Sequence, residues 1–461
     1  MSDTEHVLFA SQALLSDGWA QDVLFRIGRD GEIATISTNA SGDNAQVMRG
    51  PVLPGMTNVH SHAFQRALAG RTERAGPSDD SFWTWRDAMY RFVSKLTPDH
   101  VEAIAAQLYI EMVKQGYTAV GEFHYLHHGP DGTPYDEISE MSGRVIAAAR
   151  QAGIAITHLP VLYGFGGFGG VPVADAQKRF HNEPEAVLRI VENLRRQYGS
   201  DLNVRIGLAP HSLRAVTAST LSETVDGLHG DDSSAPVHIH VAEQVKEVTD
   251  CLSWSGRRPV GWLFDHIEPD QRWCLIHATH LSSEERQRIV ESGAVAGLCP
   301  TTEANLGDGL FPFDGFERAG GHFAIGSDSH VSISPVEELR WLEYGQRLLT
   351  RRRNVAASPS QPSVGGTLWR AAAKGGAQAI ARKTGVLAPG MQADLIVLDG
   401  DHINLADRRG DDILDGLIFS GNDRVVRDVM VGGKWRVVDG HHAEEEKAEK
   451  DYRAVLSHLL S

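Results

Sequence analysis

The chain has 461 residues, and its 60 acidic and 44 basic side chains give a formal net charge of −16. This balance argues against a nucleic-acid partner or an anionic membrane surface, because both require a basic protein surface. Three isolated cysteines provide neither a disulfide framework nor a paired-cysteine metal motif. With no signal-peptide pattern and no apolar run of roughly 20 residues, we expect a cytoplasmic protein.

The two ends of the chain have a similar pattern. Residues 1–53 contain short β runs separated by turns, and residues 386–461 contain further short β runs with glycine turns, followed by an amphipathic tail helix. The simplest arrangement pairs both ends in one small β-sandwich. We therefore predict that residues 1–53 and 386–461 form this domain and that residues 54–385 form a separate α/β domain.

The central segment alternates apolar, strand-like runs with segments of helical period. One helix is predicted over 98–116, with Thr97 as its N-cap and Pro98 at its first position. Eight strands alternating with helices are typical of a (β/α)8 barrel of the TIM type, whose active sites lie at the carboxyl ends of the strands. A doubly wound open sheet is the alternative. The eight predicted strands cover residues 52–62, 117–125, 153–163, 202–212, 236–243, 273–280, 294–300 and 322–329.

The first of these strands ends in His60-Ser61-His62. Side chains alternate faces along a strand, so the two imidazoles point the same way and could converge on one transition-metal ion. Taken alone, such a pair is more often two surface or hydrogen-bonded histidines at a strand end. Other predicted strand ends carry the same kinds of side chain, which favours a metal site at the rim of a barrel. These residues are His238, His240, Glu243, His277, Asp328 and His330.

Several motifs together resemble the amidohydrolase superfamily. They are the HSH of strand one, HVAE of strand five, IHATH of strand six, GSDSH of strand eight and GVLAPGMQADLIVLD near the end. Within that superfamily, HSHAFQRALAG, SFWTWRDAMYRF and SDSHVSISPVEELRWLEYGQRL resemble the formimidoylglutamate deiminases, zinc hydrolases of histidine degradation. The resemblance extends over nearly the whole chain.

The resemblance implies one zinc ion per chain, with ferrous iron as an alternative, and a homodimer. His238 competes with His240 as the ligand from strand five, but Glu243 follows His240 at the spacing that deaminases use, which favours His240. A second metal bridged by a modified lysine is not favoured, because no lysine lies between Lys114 and Lys178. The implied ligands are His60, His62, His240 and Asp328.

The implied reaction is hydrolysis of N-formimidoyl-L-glutamate to N-formyl-L-glutamate and ammonia. His277 and Asp328 would accept the proton of the attacking water, and Glu243 would donate a proton to the leaving nitrogen. The alternative for Glu243 is a carboxylate that orients a ligand histidine. The residues expected to bind the dicarboxylate substrate are Gln65, Arg86, Tyr125, His211 and Arg214.

Two other functions remain open: a deaminase of an aminated purine or pterin on the same scaffold, and a catalytically silent relative. The segment Gly164–Gly169 formally matches a nucleotide-binding glycine motif. No clear helix follows it and no acidic residue opens a ribose site, so we interpret it as a rim loop that could act as a lid. The aromatic run FWTWRDAMYRF is interpreted as packing over the site and not as a base-stacking surface.

Overall fold

The computed structural model describes residues 4–74 and 82–460. Its strands, numbered in chain order, are β1 (Thr4–Leu15), β2 (Gly18–Gly28), β3 (Ile33–Ser37), β4 (Gln46–Met48), β5 (Val52–Pro54), β6 (Met56–Ser61), β7 (Tyr117–His124), β8 (Ala155–Leu162), β9 (Val204–Ile206), β10 (Ala209–Pro210), β11 (Val237–Val241), β12 (Trp273–His277), β13 (Val295–Leu298), β14 (His322–Ile325), β15 (Leu395–Leu398), β16 (Val426–Val431), β17 (Lys434–Val438) and β18 (His441–His442).

The α-helices are α1 (Phe82–Val93), α2 (Pro98–Lys114), α3 (Glu140–Ala152), α4 (Pro184–Tyr198), α5 (Ala218–Asp231), α6 (Val245–Ser255), α7 (Pro259–His266), α8 (Ser283–Ser292), α9 (Pro300–Leu306), α10 (Phe313–Arg318), α11 (Pro335–Thr350), α12 (Val364–Ala379), α13 (Asp411–Phe419) and α14 (Glu445–Leu460). Three short 3₁₀ helices lie at Ala63–Leu68, Asp175–Gln177 and Ile403–Leu405. In the part of the chain that the structure describes, no helix is both long and apolar enough to cross a bilayer.

Strands β6 to β14 form a closed barrel. One half has the parallel order β10-β8-β7-β6, with β9 beside β8, and the other has the order β11-β12-β13-β14. Parallel bridges join the two halves at both seams, from Ser61 to Asp328 and from Leu208 to Val237. The predicted (β/α)8 barrel is therefore confirmed, and the open sheet is excluded because an open sheet would leave one seam unpaired.

Helix α2 shows how local signals place the outer layer. The Thr97 side chain accepts a hydrogen bond from the His100 backbone N–H, and Pro98 begins the helix, as predicted. The helix buries an apolar face that includes Val101, Ile104 and Leu108. Its position against the barrel leaves the carboxyl ends of the strands open for the loops that line the site.

The two ends of the chain meet in one sheet beside the barrel. Its order is β18-β17-β16-β15-β5-β1-β2-β3, with β4 paired to β1, so the predicted β domain built from both ends is confirmed. A Cβ at Gly50 would lie 1.9 Å from the Leu398 carbonyl oxygen, which explains why only glycine fits where the N-terminal segment crosses β15. The predicted domain limits, between residues 53 and 54 and between residues 385 and 386, stay predictions. Residues 1–3 and 461 of the predicted β domain lie outside the described residues. So does Ser81, the first residue of the motif SFWTWRDAMYRF.

Candidate active site

The residues at or just after the carboxyl ends of β11, β12 and β14 have an unusual backbone conformation at the mouth of the barrel. Non-glycine residues there have left-handed backbone, a conformation that costs roughly 1–3 kcal/mol each and concentrates at functional sites. Three strand ends of the barrel share this feature, which marks the mouth of the barrel as the candidate site. The residues are Ala242 (φ +54°), His277 (+66°), Ala278 (+46°), Asp328 (+46°) and His330 (+63°).

Three imidazoles and a carboxylate meet at this mouth, all of them buried. The Nε2 atoms of His60 and His240 are 3.0 Å apart. Asp328 Oδ1 lies 3.5 Å from His60 Nε2 and 3.4 Å from His62 Nε2. The ligand atoms of the three histidines all lie within 4.8 Å of one another. The structure thus brings together the four side chains named as metal ligands from the sequence.

This cluster fits a transition-metal ion. The Nδ1 atoms of His62 and His240 bond the backbone carbonyls of Phe123 and His211, at 2.8 and 2.9 Å, and a carbonyl only accepts. These nitrogens therefore carry the protons, and the Nε2 lone pairs point into the cluster. Burial also lowers the pKa of both imidazoles, which keeps them neutral. Converging lone pairs repel one another unless a cation lies between them, so the donor set suits zinc or iron.

The competing ligand on β11 points elsewhere. His238 Nε2 lies 2.7 Å from the Ala379 carbonyl oxygen, at the end of α12. Burial lowers the pKa of His238 to about 4, so it is a neutral donor to that carbonyl. Of the two histidines on this strand, only His240 faces the cluster.

His277 and Glu243 lie beside the metal cluster. His277 Nε2 is 3.9 Å from Glu243 Oε1 and 3.8 Å from Asp328 Oδ2. Burial raises the pKa of Glu243 to about 7, against the opposing pull of His277 and Arg214. A carboxyl whose pKa lies near neutrality can both take up and release a proton at physiological pH, which general acid-base chemistry requires.

Glu303 and Glu247 are buried acids beside the site that were not predicted from the sequence. Glu303 on α9 lies with its Oε1 3.2 Å from His277 Nδ1. Glu247 on α6 accepts hydrogen bonds from the backbone N–H groups of Ala242 and Glu243, at 3.1 and 3.0 Å. Glu247 lies four residues after Glu243 in HVAEQVKE, and Glu303 lies three residues after the predicted seventh strand, in CPTTEANLGDG. An acid soon after a barrel strand was the only available signal.

A cleft opens above the cluster. His62, His240, His277 and Asp328 lie in its lining together with Glu243, so the potential ligands and proton carriers face the same space. Its outer wall is aromatic and includes Phe82, Trp85, Tyr90, Tyr125, Tyr163 and Phe180. All five residues predicted to bind the substrate also line it: Gln65, Arg86, Tyr125, His211 and Arg214.

The two arginines of the cleft are held by aromatic rings. The Cζ atom of Arg86 lies 4.5 Å from the centre of the Trp83 ring, and that of Arg214 lies 5.7 Å from the same ring. Arg86 Nε and Arg214 Nη1 are buried atoms without a hydrogen-bond partner among the described residues. Buried guanidinium donors of this kind are suited to a carboxylate of a bound molecule.

Three neutral side chains complete the cleft. Gln65 donates from Nε2 to the Tyr125 hydroxyl at 2.7 Å, which leaves its buried Oε1 without a partner among the described residues. The His211 ring lies 4.7 Å from the Tyr163 ring, between the metal cluster and the aromatic wall. The free amide oxygen of Gln65 is placed to accept an N–H from a bound molecule.

The glycine-rich segment Gly164–Gly169 forms a tight turn at the rim. Gly166 N–H donates to the Val171 carbonyl at 2.7 Å, and Phe168 stacks on Trp254 with ring centres 5.5 Å apart. No α-helix of the described residues starts directly after this turn; the next helical element is the short 3₁₀ helix Asp175–Gln177. Gly166 lines the cleft, so the segment is a rim loop, and movement as a lid stays a prediction.

A class of metal-dependent hydrolases is defined by a closed barrel with this set of side chains. Here two histidines lie at the end of β6, one histidine lies on each of β11 and β12, and an aspartate follows β14. The chain belongs to the amidohydrolase family, whose profile, described as "Amidohydrolase family", matches residues 52–436. A second profile, "Formimidoylglutamate deiminase HutF, N-terminal domain", matches residues 5–47.

Among curated proteins, a formimidoylglutamate deiminase of Pseudomonas aeruginosa is 54% identical over 453 residues, covering 98% of this chain and 99% of that protein. An 8-oxoguanine deaminase of the same organism is 30% identical over 397 residues, which cover 84% of this chain and 82% of that protein. A solved amidohydrolase structure from Brucella melitensis is 48% identical, with a TM-score of 0.94 and coverage of 99% of this chain and 100% of that one. An adenosine deaminase from Xanthomonas campestris with bound zinc, 20% identical over 99% of each chain with a TM-score of 0.82, shares the fold.

Proposed function

We propose that this chain is a zinc-dependent formimidoylglutamate deiminase, which hydrolyses N-formimidoyl-L-glutamate to N-formyl-L-glutamate and ammonia in histidine degradation. It is a hydrolase that acts on C–N bonds. The observation that carries the assignment is the 54% identity to the P. aeruginosa formimidoylglutamate deiminase over nearly all of both chains. The two cleft arginines agree with it, because the substrate bears two carboxylates.

One zinc ion per chain would be held by His60, His62, His240 and Asp328. When bound, zinc makes water acidic enough to lose a proton near pH 7, compared with a pKa of about 15.7 in bulk water. The support is the neutral, inward-facing Nε2 atoms beside a carboxylate. Ferrous iron fits the same donors, so metal analysis of the purified protein decides between the two.

The chain's own side chains would move the protons. His277 and Asp328 take the proton of the attacking water, and Glu243 donates a proton to the leaving nitrogen, so that ammonia leaves instead of an amide anion. The distances of 3.8 and 3.9 Å from His277 Nε2 to the Asp328 and Glu243 oxygens support this arrangement. The raised pKa of Glu243, about 7, supports its proton-donating role.

The substrate would lie between the cluster and the aromatic wall. Arg86 and Arg214 bind its two carboxylates, and Gln65 accepts from the amidine N–H groups through its free Oε1. Tyr125 and His211 border the same space and hold the substrate against the metal cluster. Fixing both ends of a flexible chain in this way places the amidine carbon for attack.

Ammonia release from N-formimidoyl-L-glutamate, 8-oxoguanine, guanine and adenosine tests this proposal. We expect turnover only of the first. The 30% identical 8-oxoguanine deaminase makes a purine deaminase the second candidate, and turnover of a purine alone would replace our assignment with it. Release from none of them by metal-loaded protein would indicate a catalytically silent relative.

We also propose that the protein is a cytoplasmic homodimer. The three cysteines are free and buried, which fits a reducing compartment. Helix α11 presents the exposed apolar side chains of Trp341, Tyr344 and Leu348 along one face. Sedimentation velocity should give the dimer mass, and Trp341→Glu should shift it toward the monomer. A monomer mass for the wild type would refute the dimer, and cell fractionation tests the compartment.

A further inference from the structure

Glu303 is a buried carboxylate next to the candidate site and has no part in the reaction described above. It lies on α9, directly after β13, and only 4% of its surface is exposed. Burying a carboxylate away from water is unfavourable unless it accepts hydrogen bonds. Its partners therefore indicate why it is there.

One oxygen of Glu303 accepts from two sides. Oε1 accepts the Cys299 backbone N–H at 2.9 Å and lies 3.2 Å from His277 Nδ1. A carboxylate oxygen has lone pairs and no proton, so it can only accept hydrogen bonds. The proton between Glu303 and His277 therefore lies on Nδ1. The opposite ring nitrogen, His277 Nε2, then faces Glu243 and Asp328.

We propose that Glu303 is a positioning residue for His277. It holds the imidazole in the tautomer with the proton on Nδ1, so that Nε2 is the nitrogen offered to the attacking water. A neutral histidine locked in the opposite tautomer would present an N–H there and could not accept a proton. The inference rests on the proposed function for the role of His277, but the tautomer itself is independent of it.

A purely structural role for Glu303 in holding α9 can be distinguished from its role toward His277, because another buried acid also holds that helix in place. Glu338 on α11 accepts the Thr301 backbone N–H at 3.0 Å and also bonds the Thr301 hydroxyl. Thr301 lies only two residues before Glu303 on the same helix. Glu338→Gln is therefore the matched control, since it loosens the helix without removing the partner of His277.

The first test compares the metal-loaded variants Glu303→Ala, Glu303→Gln and Glu338→Gln. Loss of an orienting partner typically costs roughly 10–100-fold, so we expect Glu303→Ala to lower kcat by that factor. KM should stay within about threefold and metal content near the wild-type value. Glu303→Gln keeps an acceptor oxygen and should restore most of kcat, and Glu338→Gln should leave it within about threefold. Equal losses in Glu303→Ala and Glu338→Gln, or no loss in Glu303→Ala, would overturn the proposal.

The second test is independent of turnover. In ¹⁵N-histidine-labelled, metal-loaded wild type, with the His277 signals assigned by their absence in His277→Asn, we expect the proton on Nδ1. A proton on Nε2, with or without a second proton on Nδ1, would refute the proposal even if the variants are inactive or fail to fold. If the wild type does not release ammonia from formimidoylglutamate, the proposed function fails, and this spectrum still decides the tautomer.

Discussion

The inner and outer parts of the cleft are built differently. At the strand ends, the imidazoles of His62 and His240 are fixed by backbone carbonyls, 2.8 and 2.9 Å away, on buried barrel strands. At the outer wall, Arg86 and Arg214 are held by aromatic rings, and each keeps a buried nitrogen atom that has no hydrogen-bond partner among the residues that the structure describes. Imidazoles that are hydrogen-bonded to the backbone keep one geometry, whereas guanidinium donors without a partner are available to bind a ligand. We therefore expect the inner part to determine the chemistry and the outer part to determine the substrate.

The sharpest division lies between neighbouring histidines of β11. We expect His240→Ala to lose the bound metal and, with it, all measurable ammonia release, because it removes a ligand from the cluster. His238→Ala is the control, since His238 bonds the Ala379 carbonyl at the end of α12 and does not face the cluster. Metal analysis and the ammonia assay follow both variants. Retained metal in His240→Ala, or lost metal in His238→Ala at equal folded fraction, would contradict this division.

Prolonged chelation of the wild type should also abolish activity, and added zinc should restore it.

Within the inner part, proton transfer should separate from metal binding. Glu243→Gln keeps the size of the side chain but removes its proton, and we expect kcat to fall by roughly 10²–10⁴-fold. Metal content should stay near one ion per chain, because Glu243 is not among the four ligands. The exposed carboxylate variant Glu268→Gln should behave as wild type. Unchanged activity in Glu243→Gln would remove its role as proton donor, and loss of metal would instead favour a role in holding the ligands.

The outer part should control substrate affinity. Arg86→Ala and Arg214→Ala each remove a charge-assisted bond worth roughly 1.5–3 kcal/mol, so we expect KM to rise by about 10–100-fold with a smaller change in kcat. N-formimidoyl-glutamine, which lacks the side-chain carboxylate, assigns the pairing. The variant whose penalty disappears with this analogue is the arginine that binds the missing carboxylate. A fall in kcat alone, with KM unchanged, would indicate that the arginine acts in the reaction itself and would contradict the division between the inner and outer parts.

The smallest effect is expected at the rim loop. Phe168→Ala removes the stack on Trp254, an aromatic contact worth about 0.5–1.5 kcal/mol. If the loop closes over the cleft, KM should rise by at most about tenfold, and the fluorescence of Trp254 should no longer respond to substrate. Trp254→Phe keeps the stack and serves as the control for KM. Identical KM values in the wild type and Phe168→Ala would show that the loop is not a lid.

The predictions made from the sequence were strongest where a local pattern carries a physical rule. Alternating side chains placed His60 and His62 on one face of a strand, and the family spacing favoured His240 over His238. The structure adds the reason why those two differ, since β11 directs one ring into the mouth and the other toward α12. Their roles as ligands stay predictions until metal is measured. Glu303 and Glu247 escaped prediction because an acid on a helix is usually solvated, and only packing shows it buried.

The sequence by itself determined the eight alternating strands and helices, the pairing of both chain ends in one β domain and the family, because periodicity, turn residues and motif order are local properties. Only the tertiary structure decided that the barrel closes at both seams, that four candidate ligand side chains from three strands lie within a few ångströms of one another, and that Glu303 lies next to His277. These features depend on long-range contacts between residues up to 268 positions apart, such as His60 and Asp328. Distances of that kind are fixed by the packing of the whole barrel and by no single segment of it.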